Sequence, residues 1–453
     1  LQLGMGFLFV FLAGNSHAFI KQAIVNNKHA QGVMNEHAVY ISAAISYGTS
    51  TLTNFISAPI VGLLGVRWAM VTGTFTHCIF LAGFLFLNES FLYFSSVLLG
   101  AGAAIIWTAQ GKYIAMNSTG ETAGLHSGLF WGLSQVSITG GGLLLYFQFR
   151  DLGSSDRIED SKITIFYSIL VTLSVIGVVI LDLLKIPKKD GSVTDSGAES
   201  EPEMTFKELL YSTFNLLKDI RILLLAAAFA HTGIELSFRT GIYPSSISFT
   251  KKLATNTRTI MAFNAIAQGL GQATAGFLFG ILGGITKKLG RSFVVFLGLI
   301  VYLIAFVAIY LNFPSNASLG NTDDEGIIKP PSVTIAVICA YLMGFGDACW
   351  NTQIFSFLVS KYNKKSAEAF SLFKFFQSLA TSISFLYATH LKMESHILIL
   401  IVLGILGFFG FFVADKLPAP EEEASKNSSI NIGDRKQPSQ DLPKKSDRKI
   451  YAA

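Results

Sequence analysis

The chain has 453 residues, 51% of them hydrophobic and only 14% charged, with a net charge of +5 and a mean hydropathy of +0.51. Soluble domains carry about 25% charged residues, so this composition excludes an ordinary soluble globule and points to a chain that spans a membrane. The basic residues are scattered between apolar stretches, which excludes the contiguous basic face of a nucleic-acid reader; the expected surroundings are a lipid bilayer, with no nucleic-acid partner.

A spanning helix needs roughly 20 mostly apolar residues. In chain order, such stretches run over 1–21, 38–65, 68–88, 90–112, 122–148 and 163–184. The first lacks the basic flank and small-residue cleavage site of a signal peptide, so it reads as a true span. A polar, charged linker follows, KIPKKDGSVTDSGAESEPEM, and leads into TFKELLYSTFNLLKDI. There Phe206, Leu209, Leu210, Phe214, Leu216 and Leu217 fall mainly on one helical face, which predicts an amphipathic helix lying on the membrane. Six further spans cover 221–244, 258–286, 291–312, 333–358, 366–389 and 395–415. The polar tail beyond Lys416 reads as disordered. The expected organisation is therefore an all-α membrane protein of twelve spans: a six-helix bundle over 1–184, a cytosolic linker over 185–220, a second six-helix bundle over 221–416 and a cytosolic tail over 417–453.

Basic residues favour the cytosolic side, which places linker and tail there. The loop over 313–332, with Asp323, Asp324 and Glu325, then lies on the far side. It holds the sequon Asn316-Ala317-Ser318, the expected glycosylation site. Asn117 and Asn427 also match but fall in the cytosol, and Asn88 lies too close to the membrane. Cys78, Cys339 and Cys349 sit inside spans, so no disulfide framework, metal site or cofactor is expected.

The halves repeat each other. Gly100-x-Gly102-x-Ala104 with Trp107-x-x-Gln110 returns as Gly344-x-Gly346-x-Ala348 with Trp350-x-x-Gln353. Leu129-Phe130-Trp131 returns as Leu372-Phe373-Lys374. Phe11, His17 and Lys21 answer Phe229, Glu235 and Arg239. The turn APIVGLLGVR answers GGITKKLGR. Two parallel six-helix repeats are the signature of the major facilitator architecture. In that architecture spans one, four, seven and ten surround a central cavity, with two, five, eight and eleven beside them. Deep Asp, Glu, Lys and Arg obey this division, since none lies deep in spans three, six, nine or twelve. A charge at the bilayer centre costs at least ~2.5–3.5 kcal/mol, so this confinement points to function. The cavity or coupling candidates are His17, Gln110, Glu235, Arg239, Asp347, Asn351, Gln353 and Lys374. Asn15, Asn264 and Gln268 supply further polar groups.

The pieces WTAQG (107–111), HSGLFWGLSQ (126–135), TGIEL (232–236), LGRS (289–292), GFGDACWNTQ (344–353) and AFSLFKFFQS (369–378) resemble the Unc-ninety-three-like branch of the major facilitator superfamily. The resemblance covers roughly residues 40 to 415 and implies a twelve-span fold. Lys112 and Arg239 depart from its usual residues. Relatives in this branch look like regulatory subunits of potassium channels or escorts of membrane receptors.

Two functions stand against each other. A secondary transporter of a small solute needs a carboxylate reachable from alternate sides, and Glu235, with Arg239 one turn on, fits that need. A non-transporting regulator of a channel or receptor fits the loss of the acid usual in the turns after spans two and eight, where Gly62 and Lys287 stand; its partner helices would use Gly269, Gly276, Gly280 and Gly283, glycines that otherwise serve internal packing against the neighbouring helix. No phosphate loop, metal spacing or nucleophile with a base suggests an enzyme. Within the membrane, Asp347 and Lys374 lie at similar depths on consecutive antiparallel spans, and an ion pair between them is expected, with Gly344 and Gly346 admitting the close approach.

Overall fold

The computed structural model describes residues 1–29, 31–35, 38–149, 159–186, 205–254, 257–282 and 288–419. Most of the linker, the turn with Gly283 and Lys287, and most of the tail with Asn427 lie outside the described residues. Leu1–Lys416 forms one compact unit. Among the described residues its regular structure is α-helical, with short 3-10 turns, one π turn and an isolated bridge between Thr250 and Thr322.

The first six long helices are α1 (Gln2–His29), α2 (Ala38–Leu64), α3 (Val66–Ala82, continued by a 3-10 turn to Phe86), α4 (Glu89–Met116), α5 (Ala123–Phe149) and α6 (Asp160–Asp182). A short helix α7 (Phe206–Leu216) precedes α8 (Ile220–Ser237), which a π turn over Phe238–Ile242 joins to α9 (Tyr243–Phe249). The rest are α10 (Thr257–Ile281), α11 (Arg291–Asn312), α12 (Val333–Lys361), α13 (Ser366–Tyr387) and α14 (Met393–Lys416). Among the described residues nine segments are long and apolar enough to cross a membrane, counting Ile220–Phe249 as one. Helices α1, α2 and α10 are of similar length but fall outside that set of nine, and the arrangement as a whole fits a twelve-span fold. In α6 and α14 only 33% of the most apolar stretch is buried, against 61% in α8–α9 and in α13. The first pair therefore faces lipid, and the second is enclosed by protein.

The repeat extends to the backbone. Gly65 and Gly290 cap the N-termini of α3 and α11 with nearly the same left-handed conformation, φ 74° and 86° with ψ 156° and 153°. Only glycine adopts it at no steric cost. Just beyond each cap an arginine pairs with an acid at the end of the last helix of its half: Arg67 with Asp182 at 3.7 Å, and Arg291 with Asp415 at 3.1 Å. Thus α6 and α14 supply carboxylates to the two arginines.

Two long seams join helices from opposite repeats. Along the first, α5 and α10 approach through glycines. A Cβ on Gly128 would lie 2.5 Å from Cα of Gly280, and one on Gly276 would lie 2.5 Å from the backbone nitrogen of Gly132. Gly269 meets the Thr139 backbone in the same way. Small residues spaced by four let helix backbones touch. These glycines are therefore spent inside the molecule: Gly269, Gly276 and Gly280 pack against the neighbouring helix, the internal alternative to an outward face for a partner. Along the second seam, between α2 and α13, side chains meet instead. Thr51 donates to Ser378 at 3.1 Å, and Phe55 packs on Phe375 at 4.2 Å between ring centres.

Helix α7 covers one end of that second seam. Thr205 and Glu208 form a reciprocal capping box at its start, and these hydrogen bonds from Thr205 hold the Glu208 carboxyl below the usual range. Leu209 lies over Gly62 of α2, Phe214 stacks on Phe55, and Ser212 donates to Glu368 of α13 at 3.0 Å. One face of this amphipathic helix is thus taken by protein, while Tyr211 stays exposed.

Candidate functional site

Asp347 stands at the midpoint of α12, and Glu235 at the midpoint of the segment Ile220–Phe249. Both are buried, and Arg239 bridges them. Its Nε donates to the two Glu235 oxygens at 2.9 and 3.1 Å, and its terminal nitrogen lies 3.3 Å from Asp347 Oδ2. Asn351, one turn along α12, donates to Asp347 Oδ1 at 2.8 Å. Tyr302 of α11 and Tyr47 of α2 lie within the field of this cluster.

The π turn at Phe238–Ile242 contains Arg239. Pro244 has no N–H to donate back along the helix, so the backbone there cannot keep a regular ladder. The freed Arg239 carbonyl accepts from Gln268 Nε2 of α10 at 3.3 Å. Single π turns inside helices recur at functional sites. The sequence signal was present in Gly241 and Pro244, but the apolar run concealed it.

Lys374 is not in the expected ion pair with Asp347. Arg239 has taken that carboxylate, and Lys374 acts on it only through space. The reason is geometric. Gly344 admits the Gln268 carbonyl of α10, and Gly346 admits the Tyr302 ring of α11, so α12 is drawn toward those helices rather than toward α13. The lysine Nζ instead donates to Gln377 Oε1 at 2.8 Å and lies over ring faces, 4.3 Å from the centre of Trp107 and 4.6 Å from that of Phe373. Gln377 in turn donates to Thr232 at 3.1 Å, one turn before Glu235. Gln377, Thr232 and Trp107 were not singled out from the sequence as members of a site; Trp107 appeared there as a repeat marker and within a piece that carries the family resemblance.

The remaining candidates divide. Gln110 of α4 is fully buried, and neither of its side-chain polar atoms has a partner among the described residues. The same holds for Gln353 Oε1, Asn351 Oδ1 and Asn264 Oδ1. His17 does not join the network. It faces α6 and α3, with Nδ1 2.7 Å from the Tyr167 hydroxyl and its ring edge-on to Phe80 and Phe84. Its repeat partner Glu235 turns inward because Arg239 is there to receive it. Asn316 is exposed on a short turn, 3.3 Å from Asp324.

On one side of Lys374, toward α1 and α5, the space between helices is filled by rings. Phe7, Trp107, Phe130, Trp131, Phe355 and Phe370 pack with centroid separations from 5.0 to 6.4 Å. A cavity of about 310 Å³ lies elsewhere, at the ends of α1, α4 and α5 beside Tyr113, Asn117 and His126, and contains none of the charged network.

Comparison with known proteins bears on the fold and the family. Solved structures of similar shape include FucP in its outward conformation, described as a major facilitator superfamily transporter, with a TM-score of 0.63, 14% identity, and coverage of 92% of this chain and 98% of that one. The E. coli fucose:proton symporter FucP appears again in a variant form at a TM-score of 0.62 and 12% identity, with the same coverage. At such identity the likeness speaks to fold alone. Among curated sequences, the UNC93-like protein MFSD11 of Xenopus tropicalis is 32% identical over 89% of this chain and 92% of its own length, and that of Xenopus laevis 33% over the same shares. Protein unc-93 homolog A of Bos taurus is 24% identical over 88% and 89%. The model of the family described as "Ion channel regulatory protein UNC-93" matches residues 30–412. With a major facilitator fold, a repeat carried down to its capping glycines and a match along most of its length, this multi-pass integral membrane chain belongs to the UNC-93 family.

Proposed function

We propose that the chain is a secondary transporter that carries a small solute by alternating access and couples it to a proton. One observation carries this reading: two buried carboxylates at mid-membrane share a single arginine. Held this way, the triad has one more negative than positive charge, so either carboxylate can take up a proton without leaving the cluster positively charged. Titratable groups inside spans mark proton relays and substrate paths. The amide of Gln110 and the Oε1 of Gln353, unpartnered among the described residues, offer the hydrogen bonds a polar solute needs. We take the two six-helix halves, 1–184 and 221–416, as the bodies that move against each other.

The test is uptake into proteoliposomes from a panel of small metabolites, with and without an inward proton gradient. The expected result is gradient-driven accumulation of one solute class, with Glu235→Gln delivered normally and its uptake no longer responding to the gradient. Gradient-driven uptake unchanged in that variant would remove Glu235 from the coupling role. No uptake of any solute would favour the second reading, a non-transporting regulator of an ion channel or an escort of a membrane receptor. That reading has support of its own in the ring packing on one side of Lys374 and in the description of the matching family.

A further inference from the structure

The four charged groups of the network are not equally matched. Glu235 and Asp347 both touch Arg239. Lys374 touches no acid among the described residues; its contacts are the neutral carbonyl of Gln377 and the faces of Trp107, Phe373 and, at 5.7 Å, Phe355. Two acids and two bases sum to zero, and neutrality is what makes so much burial tolerable. The lysine thus balances the extra negative charge of the triad from a distance.

Resting on the transport reading above, we propose that the solute is a small organic monoanion that docks on Lys374 against Trp107 and Phe373, and that each anion enters with one proton carried by the Glu235–Asp347 pair. A cationic solute would have to displace a guanidinium already in contact with both carboxylates. An anion meets an ammonium held only by neutral groups, so it gains a charge-assisted hydrogen bond without breaking an ion pair. The ring faces favour a solute with an apolar body. Gln110, one turn from Trp107 on α4, has both amide atoms unpartnered among the described residues and can orient the polar end.

The proton follows from charge balance. Once the anion neutralises Lys374, the triad of two carboxylates and one guanidinium is left with a net charge of −1. A proton on one carboxylate oxygen of the pair restores neutrality, and anion and proton leave together. The titratable groups facing the pair are Arg239 on the π turn, Tyr302 from α11 with His231 edge-on behind it, Cys349 on α12, Lys374 from α13 and Tyr47 from α2. Arg239 stays charged at any ordinary pH, which leaves the two carboxylates as the groups that take the proton.

The experiment uses the purified full chain with benzoate as probe, benzamide as its neutral counterpart and benzylamine as a cation of similar shape. Ligand-dependent thermal stabilisation in detergent should show benzoate binding about 30-fold or more tighter than benzamide. Lys374→Gln should abolish that preference, and Lys374→Arg should keep it. Equal binding of benzoate and benzamide, preference for benzylamine, or benzoate affinity unchanged in Lys374→Gln would each overturn the proposal. Should Lys374→Gln fail to fold, the three-ligand comparison on the unaltered chain and on Gln110→Leu still decides. In proteoliposomes, benzoate uptake should alkalinise the outside and ignore an imposed membrane potential; potential-driven uptake would overturn the paired proton. Lys374-dependent benzoate binding without uptake of any solute would refute the transport reading and leave the anion site standing.

Discussion

Arg239 serves two acids at once, so losing it strands more charge than losing either acid. Breaking a buried pair by removing one partner costs ~3–5 kcal/mol. Arg239→Met should therefore lower stable expression sharply, and Asp347→Asn less, because Glu235 still holds the guanidinium. Adding Asp347→Asn to Arg239→Met should recover part of the loss. Size-exclusion profiles of fluorescently tagged variants read this, and an Arg239→Met profile like that of the unaltered chain would show that Arg239 does not hold the acids. The acids and bases themselves were legible in the sequence, because ionisable residues deep in apolar stretches stand out. Their pairing was not. Depth along straight helices placed Asp347 beside Lys374, but it carried no information about which way α12 leans. The lean is decided by what Gly344 and Gly346 admit, the Gln268 carbonyl and the Tyr302 ring. The rotation that aims Arg239 comes from the π turn at Phe238–Ile242.

Helices meet where small residues allow, and the consequences differ from one seam to the other. Gly276→Val would force a side chain into the Gly132 backbone, so it should destabilise the protein by about 1–3 kcal/mol, as overpacking typically does. A melting temperature equal to that of the unaltered chain would contradict the backbone contact. Helix α7 invites a gentler test. Leu209→Asp should free it from Gly62 and expose that end of the α2–α13 seam, measured as faster maleimide labelling of a cysteine placed at Phe55, which lies between Phe214 and Phe375. Unchanged labelling would show that α7 does not cover the seam. Acid should act in the same direction. The Glu208 carboxylate is held in its charged form by Thr205, so the capping contribution is present above the unfolded range of a glutamate and is lost as pH falls through its depressed folded value. The amphipathic pattern of α7 was readable because apolar residues recur at helical spacing. Its resting place on α2 and α13 was not, since the same face serves lipid and protein equally well.

At the scale of the molecule, the repeat was the most legible feature, since Gly65 and Gly290 lie in matching turns and both take the left-handed conformation. The pairing of Arg67 and Arg291 with Asp182 and Asp415 escaped notice because each acid lies more than 100 residues from its arginine. Topology gives a direct check. With linker and tail in the cytosol, Asn316 should carry a glycan, so Asn316→Gln should remove a glycosidase-sensitive mobility shift that Asn117→Gln leaves in place. A glycan on Asn117 or Asn427 would invert the orientation.

The two seams are built of different material. Between α5 and α10, backbone lies against backbone from Gly128 to Gly269, and there is little slack to release. Between α2 and α13, the contacts are hydroxyls and rings, such as Tyr47 against Phe385 at 5.6 Å, which can exchange partners or turn aside. A molecule joined this way should open like a door hung on one jamb, pivoting on the glycine edge while the aromatic edge swings free. Spin labels placed across α2 and α13 should then report two distances under transport conditions, whereas labels across α5 and α10 should report one.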